Sequence, residues 1–401
     1  MKIALVSEHA SPLSALGGVD AGGQNVHVAA LGRQLAALGH HVTVYTRRDD
    51  PCLPATVRVG DRMAVRHVTA GPPSHVPKDD LFELMPEFAG GLADIWAADP
   101  PDVVHAHFWM SGYASLAARP SDVPLLQTFH ALGVVKRRHS GAEDTSPRAR
   151  LAVESRLVHN CDRIIATCSD ERDELISIGG NQATIDIVPC GVDTTIFRPI
   201  GPTMRRNVSH RLVTVSRLVR RKGIGETIVA LADVPHTELI IVGGPSLATL
   251  RNDPEFHRLH EIAIEHGVSD RVRFVGGVSR RRVAEWMRSA DAVVVAPYYE
   301  PFGIVPIEAM ACGVPVIGTA VGGLLDTVVD GATGVLVPPR RPEAIAAAAR
   351  RLLADDGARR RMGVSAAGRA RKLYRWEKVA VRTLESYRTA LSPQCAMAES
   401  S

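Results

Sequence analysis

Four segments of this 401-residue chain carry side chains whose types and spacing could do chemistry. The first is Gly17-Gly18-Val19-Asp20-Ala21-Gly22-Gly23-Gln24-Asn25. Glycines let backbone approach a ligand closely, and the helix expected after them offers free N–H groups to an anion. A flexible turn is the plainer alternative, and without Gly-x-Gly-x-x-Gly the dinucleotide fingerprint is missing. The second is Ser216-Arg217-Leu218-Val219-Arg220-Arg221-Lys222-Gly223, where Arg217 and Lys222 follow a strand and could neutralise a diphosphate. The alternative is a solvated arginine-rich surface. The third is Glu300-Pro301-Phe302-Gly303-Ile304-Val305-Pro306-Ile307-Glu308, with Glu300 in a loop and Glu308 one to two turns into a helix. Carboxylates accept paired hydrogen bonds from vicinal hydroxyls, the chemistry of sugar recognition. The helix N-terminus at Gly303, Ile304 and Val305 could hold a phosphate; a helix cap with one surface carboxylate is the alternative. The fourth joins His105-Ala106-His107-Phe108-Trp109 to Thr128-Phe129-His130-Ala131. A histidine at a strand end is more often structural than catalytic. His105-x-His107 has a metal-ligand spacing, but no carboxylate or cysteine completes a site and no Asp-x-Asp is present, so no metal is expected.

The elements that must position these residues alternate. Strands are expected at residues 3–7, 41–45, 102–105, 124–128, 163–167 and 185–188, with a helix at 24–38. The pattern pauses at Phe197-Arg198-Pro199-Ile200-Gly201-Pro202, a linker candidate, then restarts with strands at 211–216, 238–242, 272–275, 292–296 and 314–318 and a helix at 342–354. This predicts an α/β fold of two doubly wound, mainly parallel units, residues 1–200 and 201–375, with ligand in the cleft. A last helix at 376–391 could return to the first unit.

Composition narrows the class. Hydrophobic residues are 45% and charged residues 22%, which fits a soluble globular chain and argues against disordered, collagenous or disulfide-scaffold proteins. The net charge of +4 is small and comes with no block of like charge, so no nucleic-acid partner is expected. None of the six cysteines forms Cys-x-x-Cys, and free thiols suit a cytoplasmic protein. The N-terminus reads as a strand rather than a signal peptide, and no apolar run approaches the roughly 20 residues of a membrane helix.

Taken together, the motifs resemble those of retaining GT-B glycosyltransferases of family 4, which include sucrose-phosphate synthase. The resemblance rests on Glu300-Pro-Phe-Gly with Glu308, on Ser216-Arg217-Leu218 with Lys222-Gly223, and on Gly322-Gly323-Leu324 with Asp330-Gly331-x-Thr333-Gly334. The N-terminal half is similar to the mycothiol-pathway branch acting on inositol phosphate, through residues 21–26, 105–112 and Pro189-x-Gly191-Val192-Asp193. The resemblance implies two Rossmann-like domains. It also implies metal-independent transfer, with retained anomeric configuration, from a nucleotide diphosphate sugar (UDP-linked on this reading) to a small acceptor, with no cofactor. Arg217 and Lys222 would bind the diphosphate. Glu308 would hold the ribose, and Glu300 the donor sugar with backbone N–H groups of Phe302, Gly303, Ile304 and Val305. Gly23 would approach the phosphates, His130 the sugar near its 6-hydroxyl, and the loop about Val278 the base. Asn25, Lys78, Phe108, Ala131 and Arg150 fall in the acceptor region. The branch holds its acceptor phosphate with Lys, Tyr, Thr and Arg. Lys78 and Arg150 match, whereas Phe108 and Ala131 replace the two hydroxyl donors. The expected acceptor is therefore another polyol, an aminocyclitol or a thiol of specialised metabolism such as antibiotic biosynthesis. Inositol phosphate is the first alternative and a catalytically silent sugar-nucleotide binder the second. A nicotinamide oxidoreductase is disfavoured by the missing glycine fingerprint. A homodimer is left open.

Overall fold

Short β-branched runs separated by helices build two sheets in the computed structural model, which describes residues 1–13, 22–141 and 144–392. The chain forms two units, Met1–Pro189 with Trp376–Ser401, and Cys190–Arg375. In the first, β1 (Lys2–Val6), β2 (His41–Arg47), β3 (Thr56–Arg58), β4 (Met63–Val68), β5 (Val103–His107), β6 (Leu125–Thr128), β7 (Arg163–Ala166) and β8 (Ile185–Ile187) lie in the order β3-β4-β2-β1-β5-β6-β7-β8. All pairings are parallel except β3 with β4. In the second, β9 (His210–Val215), β10 (Thr237–Val242), β11 (Val272–Gly276), β12 (Ala292–Val295), β13 (Val316–Thr319) and β14 (Gly334–Val337) lie in the order β11-β10-β9-β12-β13-β14, all parallel. The sequence reading omitted β3, β4 and β14. The first is a three-residue edge strand without an apolar run, and the last begins on a glycine.

The strand order places the chemistry. β1 has β2 on one side and β5 on the other, and β9 likewise sits between β10 and β12. At such a switch point successive connections leave in opposite directions, and the carboxyl ends of the two strands open a crevice. The glycine loop and the Phe108 segment follow β1 and β5, and the Lys222 and Glu300 segments follow β9 and β12.

Both faces of each sheet are covered, so central strands such as Ala292–Val295 are apolar throughout rather than alternating. The last helix, Trp376–Leu391, presents Trp376, Val379, Ala380, Leu384 and Tyr387 at helical spacing to the core of the first unit, beside Leu5, Val44 and Leu126.

The chain leaves the first unit at Pro189, before the expected 200/201. The segment read as a linker is part of the second unit. Phe197 is buried, and Arg288 donates from Nε to Pro202 O at 2.8 Å and from Nη1 to Arg198 O at 3.5 Å. Tertiary hydrogen bonds, invisible to local composition, tie it down. Among the described residues no helix is long and apolar enough to cross a membrane.

Candidate active site

In the second unit the chain turns sharply after β9. Arg220–Lys222 form one 3₁₀ turn, and Gly223 takes φ +66 before the helix Ile224–Leu231. A Cβ at Gly223 would lie 1.8 Å from Ala296 O, so only glycine lets this turn pack against the end of β12. That close approach brings two segments 78 residues apart together, and Lys222 Nζ donates to Glu300 Oε2. Both side chains are largely buried, with 18% and 15% exposure. Burial by itself pushes the Glu300 carboxyl up, but Lys222, Arg221 and Arg217 outweigh it and hold it below the usual range. Burial, helped by Arg221 and Arg217, pulls the Lys222 ammonium below its ordinary value against the pull of Glu300. Three cations thus act on one carboxylate, and the cluster carries an excess of positive charge.

Glu300 is braced from behind. Gly323 N donates to Glu300 O at 3.1 Å, and a Cβ on Gly322 would lie 2.1 Å from that same carbonyl. The Gly322-Gly323 pair is the floor on which the Glu300 loop rests. Beyond it, Gly303 caps the helix Ile304–Ala311 with no side-chain hydrogen bond, and the first turn holds no acidic residue. The N–H groups at Ile304 and Val305 therefore lack the side-chain partner a Ser or Asp cap would supply, an arrangement favourable to an anion. Phe302 is buried, its ring centroid 6.2 Å from that of Tyr374. Glu308 is buried on this helix, and Arg280 Nη2 donates to its Oε1 at 2.6 Å. Val278 lies two residues before Arg280, in the turn after β11.

In the first unit His130 stands at φ +61, in the left-handed region that histidine tolerates better than most residues. Its Nε2 lies 3.0 Å from His107 Nδ1. His105 and His107, two apart on β5, share a sheet face with ring centroids 4.2 Å apart, and His27 packs edge-on to His130 at 5.1 Å. His105 is satisfied on both nitrogens, by Tyr387 Oη at 2.8 Å and Thr128 Oγ1 at 2.9 Å. Burial drives all four imidazoles towards neutrality. His27 falls to about 4, His105 to about 3, and His107 and His130 lie well below the ordinary value. His130 is a neutral hydrogen-bonding group here, not a charged acid. Among the described residues no three His, Cys, Asp or Glu side chains are grouped so as to hold a metal ion.

Phe108 adopts φ +82, a strained position for a bulky residue. Lys78 Nζ lies 5.6 Å and Arg150 Cζ 5.3 Å from its ring centroid, and the His9 ring meets its edge at 5.0 Å. Arg150 is buried and committed. Its Nε donates to Glu154 at 2.7 Å, Nη1 to Ser146 Oγ at 3.2 Å and Nη2 to Ala131 O at 2.6 Å. Asn25 is also engaged, accepting Gly22 N–H at 3.1 Å and donating to Ser11 O at 3.0 Å. Gly23 opens the helix Gly23–Ala37, and residues 17–21 of the glycine loop lie outside the described residues.

The structure thus joins Arg217, Lys222 and Glu300 in one cluster and Lys78, Phe108, Ala131 and Arg150 in another. Sequence reasoning passed over Arg221, whose place in an arginine run hid it. It passed over Arg280, 28 residues from its partner, for want of a local signal. It also passed over His9, at the carboxyl end of β1, which accompanies a buried Glu8 at 2.6 Å.

Two parallel α/β domains with this crevice chemistry define the GT-B class of sugar transferase. Residues 21–196 match Glycosyltransferase Family 4 and residues 205–369 match Glycosyl transferases group 1. The chain is 37% identical to D-inositol 3-phosphate glycosyltransferase of Kribbella flavida over 98% of its length and 97% of the relative's. It is 38% identical to D-inositol 3-phosphate glycosyltransferase 1 of Catenulispora acidiphila over 97% and 96%. Sucrose-phosphate synthase from Thermosynechococcus elongatus superposes with a TM-score of 0.89 at 34% identity, covering 97% of this chain and 98% of that one. Anabaena HepE, solved with UDP and glucose, shares the fold with a TM-score of 0.73 at 20% identity, covering 97% and 100%. The chain belongs to the family 4 glycosyltransferases, and it is an enzyme of that class.

Proposed function

We propose that this glycosyltransferase takes its sugar from a UDP-linked donor, retains the anomeric configuration and works without a metal ion. The observation that carries the reading is the Arg217, Arg221, Lys222 and Glu300 cluster, with its positive excess beside the uncapped helix start at Ile304. As the anomeric C–O bond breaks, charge grows on the departing diphosphate. Fixed cations and helix N–H groups stabilise that charge without reorganising. Glu300 accepts hydrogen bonds from the sugar hydroxyls, and Glu308 from the ribose. Neutral His130 contacts the sugar near its 6-hydroxyl, and the turn about Val278 faces the base. Gly23 approaches the phosphates. The acceptor hydroxyl attacks from the face the diphosphate leaves, and its proton goes to a diphosphate oxygen.

On the first unit, Lys78, Phe108, Ala131 and Arg150 mark the acceptor region, with Asn25 nearby. The guanidinium of Arg150 is engaged by Glu154, Ser146 and Ala131 O, and an aromatic ring and a methyl occupy the positions of Phe108 and Ala131. This supports a small polyol, aminocyclitol or thiol as acceptor rather than a phosphate ester. The second reading, transfer to inositol phosphate, is favoured by the two cations about Phe108 and by relatives that carry that name.

The test is transfer from UDP-glucose or UDP-N-acetylglucosamine to such acceptors and to D-inositol 3-phosphate, in EDTA, with the product anomer read by NMR. Retention, undiminished by EDTA, is expected. An inverted product, or activity abolished by EDTA and restored by a metal, refutes the reading. The Phe108→Tyr, Ala131→Thr pair should introduce or raise inositol-phosphate transfer, and failure to do so counts against the acceptor assignment.

A further inference from the structure

Glu308 is the more deeply enclosed of the two carboxylates, 4% exposed on a helix whose Pro306, Ile307, Ala309 and Met310 are all buried. A carboxylate so placed tends to take a proton, and a protonated oxygen is a poor partner for a hydroxyl donor. One cation opposes this, Arg280, whose Nη2 reaches Oε1. Among the described residues, Arg280 is the one side chain that hydrogen-bonds this carboxyl, which leaves the other oxygen, Oε2, without a donor. Arg280 is itself fixed. It is the first residue of the helix Arg280–Arg288, its guanidinium carbon lies 5.0 Å from the Phe197 ring centroid, and Phe197 is fully buried. It also stands two residues from Val278, in the turn assigned to the base.

We propose that Arg280 is the positioning residue of the nucleoside pocket, gripping one oxygen of Glu308 so that the other stays charged and available to the ribose diol. The proposal rests on the assignment of Glu308 to the ribose. An ion pair kept only for folding would leave diol recognition untouched; a positioning pair would not. Among the described residues, the titratable groups acting on or beside Glu308 are Arg280 and, one turn along the same helix, Cys312; no other described charged group shifts its carboxyl. Without Arg280, burial acts unopposed, so Glu308 takes its proton at a higher pH. Diol recognition, present when the carboxylate is ionised, is then lost earlier as pH falls.

Calorimetry with UDP and 2′,3′-dideoxyuridine diphosphate tests this on the wild type, Arg280→Met and Glu308→Gln. The guanine and adenine counterparts serve if those nucleotides bind instead. The wild type is expected to prefer the diol by about tenfold or more, and Arg280→Met to lose about tenfold of that preference at neutral pH. The preference should return in the variant as pH rises, because Glu308 then ionises without Arg280. If Arg280→Met does not fold by circular dichroism, Arg280→Lys is measured in its place, with a smaller loss of the same sign. If the wild type fails to distinguish the two nucleotides, or Glu308→Gln distinguishes them as well as the wild type does, the ribose assignment falls and the proposal with it. If the wild type distinguishes them and the Arg280 variant does so equally well at every pH, the proposal alone is overturned.

Discussion

Replacing Lys222 by methionine should weaken nucleotide binding more than it weakens the fold. Breaking a fully enclosed ion pair costs about 3–5 kcal/mol because one charge is left uncompensated. Here both partners keep some exposure, 18% for Lys222 and 15% for Glu300, and Arg221 and Arg217 still face the carboxylate. The loss of stability is therefore expected at about 1–2 kcal/mol, visible as a small drop in melting temperature. The nucleotide loses more. A hydrogen bond between charged groups contributes about 1.5–3 kcal/mol, and the relieved Glu300 now repels the diphosphate. Together these correspond to affinity roughly ten- to two-hundredfold weaker. Titration calorimetry of UDP, GDP and ADP, with and without EDTA, measures it. The expected pattern is one preferred nucleotide, insensitivity to EDTA, and the stated loss in Lys222→Met with part of it recovered in Lys222→Arg. Affinity within about threefold of wild type in a folded Lys222→Met protein would mean that the diphosphate lies elsewhere.

Three further outcomes follow from the same contacts. Glu300→Gln removes the carboxylate on which three cations act, so UDP should bind about as tightly or up to roughly threefold tighter, while the preference for UDP-sugar over UDP disappears in competition calorimetry. Tyr387→Phe leaves buried His105 Nδ1 without its partner at 2.8 Å; thermal melts should show a loss of about 1–3 kcal/mol, and none would mean the contact is idle. His27 and His105 bind protons less readily folded, at about 4 and about 3, than unfolded, at 6.5. Stability linked to them is complete above 6.5 and falls as pH drops towards 4, because the unfolded chain then binds more protons. Urea denaturation across that window should show this decline, and a flat profile would refute the neutral cluster.

Much of this enzyme's architecture is legible in its residues. Apolar runs such as Ala292–Val295, unbroken by polar residues, announce strands buried on both faces. The Pro342–Ala354 and Trp376–Leu391 helices declare themselves by apolar periodicity. The glycines beside Lys222 and Glu300 were legible as punctuation, and the structure gives the reason: Gly223 and Gly303 stand at φ +66 and +84, where glycine carries no Cβ penalty.

What the sequence alone determined is therefore the alternation of elements, the parallel α/β class and the identity of the chemically capable residues, all of which depend on local periodicity and residue type. What only the tertiary structure decided is which of those residues meet. The pairing of Lys222 with Glu300 follows from β9 lying beside β12 at a switch in strand order. Arg280 meets Glu308 because the helix it opens, Arg280–Arg288, packs against the helix Ile304–Ala311. The four histidines are held neutral by enclosure with one another, an effect that no window of sequence contains. Charge and protonation are set by distance and burial, and both are properties of the packed chain.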